Sequence, residues 1–307
     1  MLSRVAERFY WTARYLERTE NTARLINVYY QMILDMPNEV PMSSSLLINI
    51  TGADQLYSKH YKKVTDRNVY RFMLANIDNP ASIYSSIIQV RENTRVIRDQ
   101  MPSEAWESIN ELYRFAKKRY ESNTYHKTIF KDLKNIIFRC QQLTGLLAGT
   151  MSHGSGYQFV KIGRNLERAD MTTRILDAGA MAAKQVSKEL EPIRNRLWRE
   201  ILQTLSAYEM YRKNVKVRVV DERVIEYLLI NKLFPRSVLH CIEEIEHCFL
   251  LLPRPKEASN KIKEAKEFLN EIVVVSNTTD KLHTYIDDLQ VIIGELHTII
   301  VLTWFEQ

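Results

Sequence analysis

The sequence predicts an all-α protein, a multi-helix bundle with an internal duplication. Three observations predict it. Glycine and proline are scarce, at 8 each over 307 residues, so turns are few and the elements between them are long. Apolar residues recur at i, i+3, i+4 and i+7 through most of the chain, the period of a helix buried along one side. One eleven-residue helical motif occurs twice, the mark of a repeated unit.

The elements follow in order. Val5, Phe9, Leu16, Ala23, Ile26 and Tyr30 lie on one stripe, so residues 2–36 form a long first helix that Pro37 and Pro41 end. A Ser/Asn-rich stretch follows, with room for a short helix near 55–61. Asp66 is the expected N-cap of a helix to Ile77. Pro80 suits the first turn of a helix running to Met101, and Pro102 breaks it. Ser103 is the expected cap of the next, which carries Trp106, Leu112 and Phe115. The second half predicts helices over 125–151 and 157–183, with the joint Ser152-His153-Gly154-Ser155-Gly156 between them. Pro192 opens a helix expected to reach Arg212. Val215 to Val220 alternates apolar and basic residues but has no partner strand, so it reads as a loop. Asp221 is the expected cap of a helix to Lys232, and Pro235 begins another to Leu252. Pro253 and Pro255 interrupt before helices over 257–274 and 278–304. No linker is long enough to part domains. The chain therefore reads as one all-helical domain, 1–307, with quasi-repeats of about 1–124 and 125–307 in a pseudo-two-fold relation.

Composition narrows the function. Hydrophobic residues make up 45% and charged residues 26%, with a net charge of +6, ordinary for a globular chain. The basic residues are interleaved with acids rather than gathered in a stripe, which argues against nucleic acid and fits an anionic small molecule or peptide. Cys140, Cys241 and Cys248 are odd in number and lack CxxC spacing, so neither a disulfide framework nor a zinc site is expected. No apolar signal core opens the chain and no window is apolar enough to span a membrane. The expected location is the cytoplasm.

The repeated motif joins Arg14-Tyr15-Leu16-Glu17-Arg18-Thr19-Glu20-Asn21-Thr22-Ala23-Arg24 to Arg164-Asn165-Leu166-Glu167-Arg168-Ala169-Asp170-Met171-Thr172-Thr173-Arg174, every position displaced by 150. Six residues are identical, and Glu20 meets Asp170. A shorter echo sits at Glu92-Asn93-Thr94-Arg95. On a helix Arg14, Glu17, Arg18 and Asn21 share a face, as do Arg164, Glu167, Arg168 and Met171. Large apolar neighbours predict that these faces are partly buried, where guanidinium groups need carboxylates or bound anions. Two readings follow. One is an Arg–Glu network that fixes helix register. The other is a site whose glutamates orient arginines toward a carboxylate or phosphate. Each copy has three arginines against two acids, which favours the second. Arg91, Arg95 and Arg98 extend a basic ridge at i, i+4 and i+7.

Five of the eight glycines, Gly145, Gly149, Gly154, Gly156 and Gly163, lie within one short segment. Gly145 and Gly149, four apart, are expected to admit another helix closely. Gly154 and Gly156, beside His153, form either a plain turn, the simpler reading, or an anion cradle at a helix N-terminus. No Walker A or dinucleotide fingerprint is present. Glu244-x-x-His247 has the spacing of a di-iron ligand pair. None of His60, His126, His153, His283 and His297 supplies a second such pair, so no metal or cofactor is expected. That segment reads as an amphipathic helix with two cysteines in its core.

Together these motifs resemble the bacterial alpha-E domain family. The resemblance covers essentially the whole chain. It is carried by Tyr10-Trp11-x-x-Arg14-Tyr15-Leu16-Glu17-Arg18-x-Glu20-Asn21-Thr22, Asn79-Pro80-x-Ser82-Ile83, Arg91-Glu92-Asn93, Trp106-Glu107-x-Ile109-Asn110, Gly163-Arg164-x-Leu166-Glu167-Arg168-Ala169-Asp170-Met171-Thr172 and Phe234-Pro235-Arg236-Ser237-Val238. The joint departs from the family's usual charged stretch and Gly-Trp-x-Phe. The resemblance implies an all-helical protein that occurs beside, or fused to, a circularly permuted ATP-grasp enzyme and near transglutaminase-like peptidases. The expectation is an accessory or substrate-binding partner of an ATP-grasp amide ligase, oligomeric or not. The alternatives are an acyl or aminoacyl transferase with Glu17 or Glu167 as base, and a dimerisation scaffold. A glutamate between arginines has a lowered pKa and is a poor base. The candidate binding residues are Arg14, Glu17, Arg18, Asn21, Arg24, Arg91, Arg95, His153, Arg164, Glu167, Arg168, Asp170 and Arg174.

Overall fold

A computed structural model describes residues 2–35, 43–121, 128–186, 190–216, 218–272 and 279–306. Among these residues the chain is all-α, with fourteen α-helices and no strand. The chain divides into two compact units, Arg8–Val160 and Lys161–Gln307 with Met1–Glu7.

The Arg8–Val160 unit is organised on α1 (Ser3–Asp35), a 33-residue helix. Three short helices follow, α2 (Ser45–Ile50), α3 (Asp54–His60) and α4 (Asp66–Leu74), then α5 (Ile83–Val96), α6 (Ser103–Tyr120) and α7 (Ile129–Thr150). Of the stripe read from the sequence, Phe9, Leu16, Ala23 and Ile26 are buried along α1, and Val5 and Tyr30 are half-buried. Arg8 donates to Asn93 at 2.8 Å and Thr22 to the carbonyl of Ala81 at 3.3 Å. Two such ties in opposite chain order make α1 and α5 antiparallel.

The Lys161–Gln307 unit is organised on α8 (Ser155–Gln185), 31 residues long. Three shorter helices follow, α9 (Glu191–Thr204), α10 (Tyr208–Val215) and α11 (Asp221–Ile230), then α12 (Val238–Phe249), α13 (Lys256–Asn270) and α14 (Thr279–Trp304). Lys161 pairs with Glu244 at 2.8 Å and Thr172 donates to the carbonyl of Arg236 at 2.9 Å, so α8 and α12 are also antiparallel. The order of elements in α1–α7 therefore recurs in α8–α14: a long motif helix, three short helices, a helix antiparallel to the first, and two more. The expected seam of the quasi-repeats, near 124, lies outside the described residues.

Several boundaries differ from the sequence expectation, each for a local reason. The apolar run Ser45–Ile50 is a helix, not open chain, because Leu47, Ile48 and Ile50 are buried. The caps of α4 and α5 are Thr65 and Ser82, whose side chains accept from Asn68 N and Ser85 N. Asp66 is the first helical residue, and Pro80 lies in the turn before α5. Helix α4 ends at Leu74, where the Asn79 amide takes the carbonyl of Phe72 at 3.1 Å. Ser103 and Asp221 are likewise first helical residues rather than caps, and α12 starts at Val238 behind the Ser237 cap, not at Pro235. The helix expected from Pro192 to Arg212 breaks after Thr204. Ser206 turns left-handed at φ 54°, with Ser206 N bonded to Gln203 O at 3.0 Å and Ala207 N to Leu202 O at 2.7 Å, a two-bond helix stop that usually takes glycine. Helix α5 ends at Val96, and Arg98 sits in a separate 3-10 turn, so the basic ridge stops at Arg95.

Candidate functional site

The two motif copies lie in different units. In the first, Arg14, Glu17, Glu20 and Asn21 are buried on α1, and Arg18 and Arg24 are half-buried. Arg14 donates to the Tyr10 hydroxyl at 3.0 Å and lies over the rings of Tyr10 and Trp11, while Arg18 lies over Tyr15. Arg24 pairs with Glu20 at 2.8 Å. Burial pushes the Cys140 thiol well up, the charges of Glu20 and Glu17 add to it, and Arg24 opposes them.

The second copy on α8 keeps the buried glutamate and the i, i+4 acid–arginine pair but not the aromatic bracing, because Val160, Lys161 and Asn165 stand where Tyr10, Trp11 and Tyr15 do. Glu167 and Thr172 are buried, and Arg164, Arg168 and Arg174 are half-buried. Arg174 chelates both oxygens of Asp170 at 3.0 Å, matching Arg24 on Glu20. Met171 stands where Asn21 does and is buried.

The motif threonines do what spacing along one helix cannot reveal. Thr22 and Thr172 each donate to the carbonyl of the residue just before a serine N-cap, Ala81 before Ser82 and Arg236 before Ser237. The turns they hold are built alike. Ser82 donates to Asn76 O, and Ser237 to Asn231 O. Ser86 reaches Pro80 O at 3.3 Å, and Cys241 reaches Pro235 O at 3.6 Å. These positions are all displaced by 155, so the shared pattern is Asn-x-x-x-Pro-x-Ser at 76–82 and 231–237. The signal was present as two of the stretches that carry the family resemblance.

The other candidates separate from the motif. Arg91 is held by Asn110 at 3.0 Å and Glu92 at 2.8 Å and stacks on Tyr113 and Trp106, with its side chain 30% exposed. Arg95 pairs with Glu92 at 3.0 Å and is 60% exposed. His153 Nε2 lies 3.0 Å from the carbonyl of Ala148, closing the end of α7, and its ring stacks on Tyr157 at 4.1 Å. A Cβ on Gly145 or Gly149 would meet nothing within 4 Å, so among the described residues no helix approaches there and the close-packing expectation is corrected. Within this segment Gly156 is closely approached, since a Cβ there would meet Phe9 Cε2 at 2.9 Å.

The Glu244–His247 pair is as expected for an amphipathic helix. Cys241 and Cys248 are fully buried, and burial raises the Cys248 thiol to about 11, away from thiolate chemistry. No described helix is long and apolar enough to cross a membrane.

A buried Glu beside a half-buried Arg, set once on each of two long helices, defines an all-helical protein organised on a Glu-Arg motif. Residues 1–305 match the Alpha-E family, described as a predicted alpha-helical domain with a conserved ER motif, and the chain belongs to that family. It is also similar to uncharacterized proteins of Mycobacterium bovis and Mycobacterium tuberculosis. Each is 24% identical over 265 residues, which is 79% of this chain and 29% of the relative. The chain spans less than a third of the length of these curated relatives. No solved structure matches.

Proposed function

We propose that this chain is an accessory, substrate-binding partner of an ATP-grasp amide ligase, and that its motif arginines receive an anionic group of the substrate. The observation that carries the reading is the paired Glu-Arg step. Each copy sinks its glutamate, at 2% exposure for Glu17 and 1% for Glu167, and leaves Arg18 or Arg168 half-buried. A guanidinium at such a rim suits a carboxylate or phosphate. Arg91, braced by Asn110 and two aromatic rings, has the same character. The recurring order of helices supports an internal duplication, with one such step in each unit. The length of the mycobacterial relatives supports a modular role, because the matched segment is only 29% of each. ATP-dependent ligation sets the cytoplasm as the place of action. The same depth of burial argues against Glu17 or Glu167 as a general base, since a base must reach the proton it takes.

The test is co-purification with the circularly permuted ATP-grasp protein of the same genome, followed by ATP-dependent amide formation. The expected result is association, with Arg18→Ala and Arg168→Ala each raising KM for the acidic substrate at least about tenfold and leaving helix content intact. Full coupled activity in both variants removes the anion site. Failure to associate removes the ligase partner.

A scaffold reading has its own support in the threonine bonds and the Glu20–Arg24 and Asp170–Arg174 pairs, which build the units rather than face a ligand. It predicts that arginine variants lower the melting temperature without changing KM.

A further inference from the structure

Three ligand-type side chains meet in the Lys161–Gln307 unit, away from the Glu-Arg step. Asp177 is on α8, and His283 and Asp287 are one turn apart on α14. His283 Nδ1 lies 2.7 Å from Asp177 Oδ1, and His283 Nε2 lies 3.5 Å from Asp287 Oδ2. One ligand atom from each of the three falls within 4.8 Å of the others. Side-chain exposures are 20% for Asp177, 43% for His283 and 57% for Asp287.

We propose that Asp177, His283 and Asp287 form a binding site for a first-row divalent cation, which ties α14 to α8. The geometry supports this in three ways. A cation about 2.0–2.2 Å from nitrogen and oxygen ligands brings those ligands within roughly 3–4 Å of one another; one ligand atom from each of the three lies within 4.8 Å of the others, so a turn of the His283 ring, whose two nitrogens now face different carboxylates, closes the set. His283 and Asp287 are at i and i+4, on one helix face, so both can turn to a shared point. Two carboxylates around one imidazole leave net negative charge that a divalent ion balances.

The donor set names the class of metal. One imidazole and two carboxylates suit zinc, cobalt or manganese, whereas a site for magnesium or calcium is built of oxygen ligands. The exposure of His283 and Asp287 leaves the remaining positions to water or to an added ligand, as in an open site with three protein ligands. The competing arrangement is an Asp–His–Asp hydrogen-bonded chain with a doubly protonated imidazole and no metal.

The test is calorimetric titration of the full chain with Zn²⁺, together with its melting temperature with and without the ion. The expected result is one saturable equivalent and a raised melting temperature, because an ion that binds only the folded state stabilises it. His283→Gln and Asp177→Asn should each weaken binding at least about tenfold and abolish the shift in melting temperature. His247→Gln, which changes an exposed histidine outside the cluster, should leave both unchanged. Helix content by circular dichroism identifies any variant that fails to fold. His283→Gln, at the more exposed of the two positions, then decides alone. Absence of saturable Zn²⁺ binding by the natural chain, or equal binding by His283→Gln, overturns the proposal and leaves the hydrogen-bonded chain.

Discussion

The hydroxyl of Thr172 reaches 64 residues along the chain to the carbonyl of Arg236, at 2.9 Å and buried. That carbonyl precedes the Ser237 cap, so one bond fixes where α12 begins against α8. Thr22 does the same for α5 at 3.3 Å. A buried carbonyl deprived of its donor costs about 1–3 kcal/mol. Thr172→Val, which keeps the shape, should lower unfolding free energy by about that amount in urea titration. Thr22→Val should cost less, because its bond is longer and only part-buried. Equal stability of Thr172→Val and the natural protein would contradict the assignment.

Glycine substitutions should have opposite signs along the chain. A Cβ on Gly179 would lie 2.1 Å from Ile201 Cδ1 and 2.8 Å from its Cγ1. Gly179→Ala should destabilise by about 1–3 kcal/mol through overpacking, and Ile201→Val should recover part of the loss. Gly145→Ala and Gly149→Ala meet nothing within 4 Å. They sit inside α7, so each should stabilise by roughly 0.5–1 kcal/mol. Thermal melts of the single variants and of the Gly179/Ile201 double variant decide both claims.

The contrast between these glycines shows how far the sequence could be read. Long periodic stretches such as Ser3–Asp35 and Ser155–Gln185 declared themselves, because burial on one side leaves a 3.6-residue period. Ser45–Ile50 is too short for a period to register. Ser206 ends α9 in a left-handed turn without the glycine that normally signals one. A four-residue glycine spacing says only that a helix can approach. At Gly145 and Gly149 no described helix does, while at Gly179, a lone glycine, Ile201 does. The motif arginines were visible as a pattern. Which carbonyl Thr172 holds, and that Asp177 meets His283, depend on chain folding across 64 and 106 residues.

Acid should loosen the tie between α8 and α12. Burial alone would raise the Glu244 carboxyl, but the hydrogen bond and charge of Lys161 outweigh it, helped by His240 and His247, and hold it below its ordinary 4.5. A carboxyl lowered in the folded state adds stability that is complete above its unfolded value and is lost as pH falls through the folded one. The contribution should therefore be present above pH 4.5 and fade below it. At 28% exposure of Glu244 the pair is worth at most about 1 kcal/mol. Lys161→Met should flatten this part of the stability–pH curve, measured by urea titration between neutral and acid pH.

Aromatic bracing should matter more than charge at Arg91. Its guanidinium lies 4.7 Å from the Tyr113 ring centroid and 5.9 Å from that of Trp106. Arg91→Lys keeps the charge but loses the planar stack and the bond to Asn110. It should cost about 0.5–2 kcal/mol in thermal or urea melts, close to the loss in Arg91→Ala. Full stability in Arg91→Lys would show that charge alone serves there.

Both copies of the motif dock the start of a serine-capped helix within their own unit, Thr22 at α5 and Thr172 at α12. Amide hydrogen exchange in the two threonine variants reads this docking at each helix start. Thr22→Val should speed exchange at the first turns of α5 and leave α12 unchanged. Thr172→Val should speed exchange at the first turns of α12 and leave α5 unchanged. Unaltered exchange at both helix starts in both variants would contradict the claim.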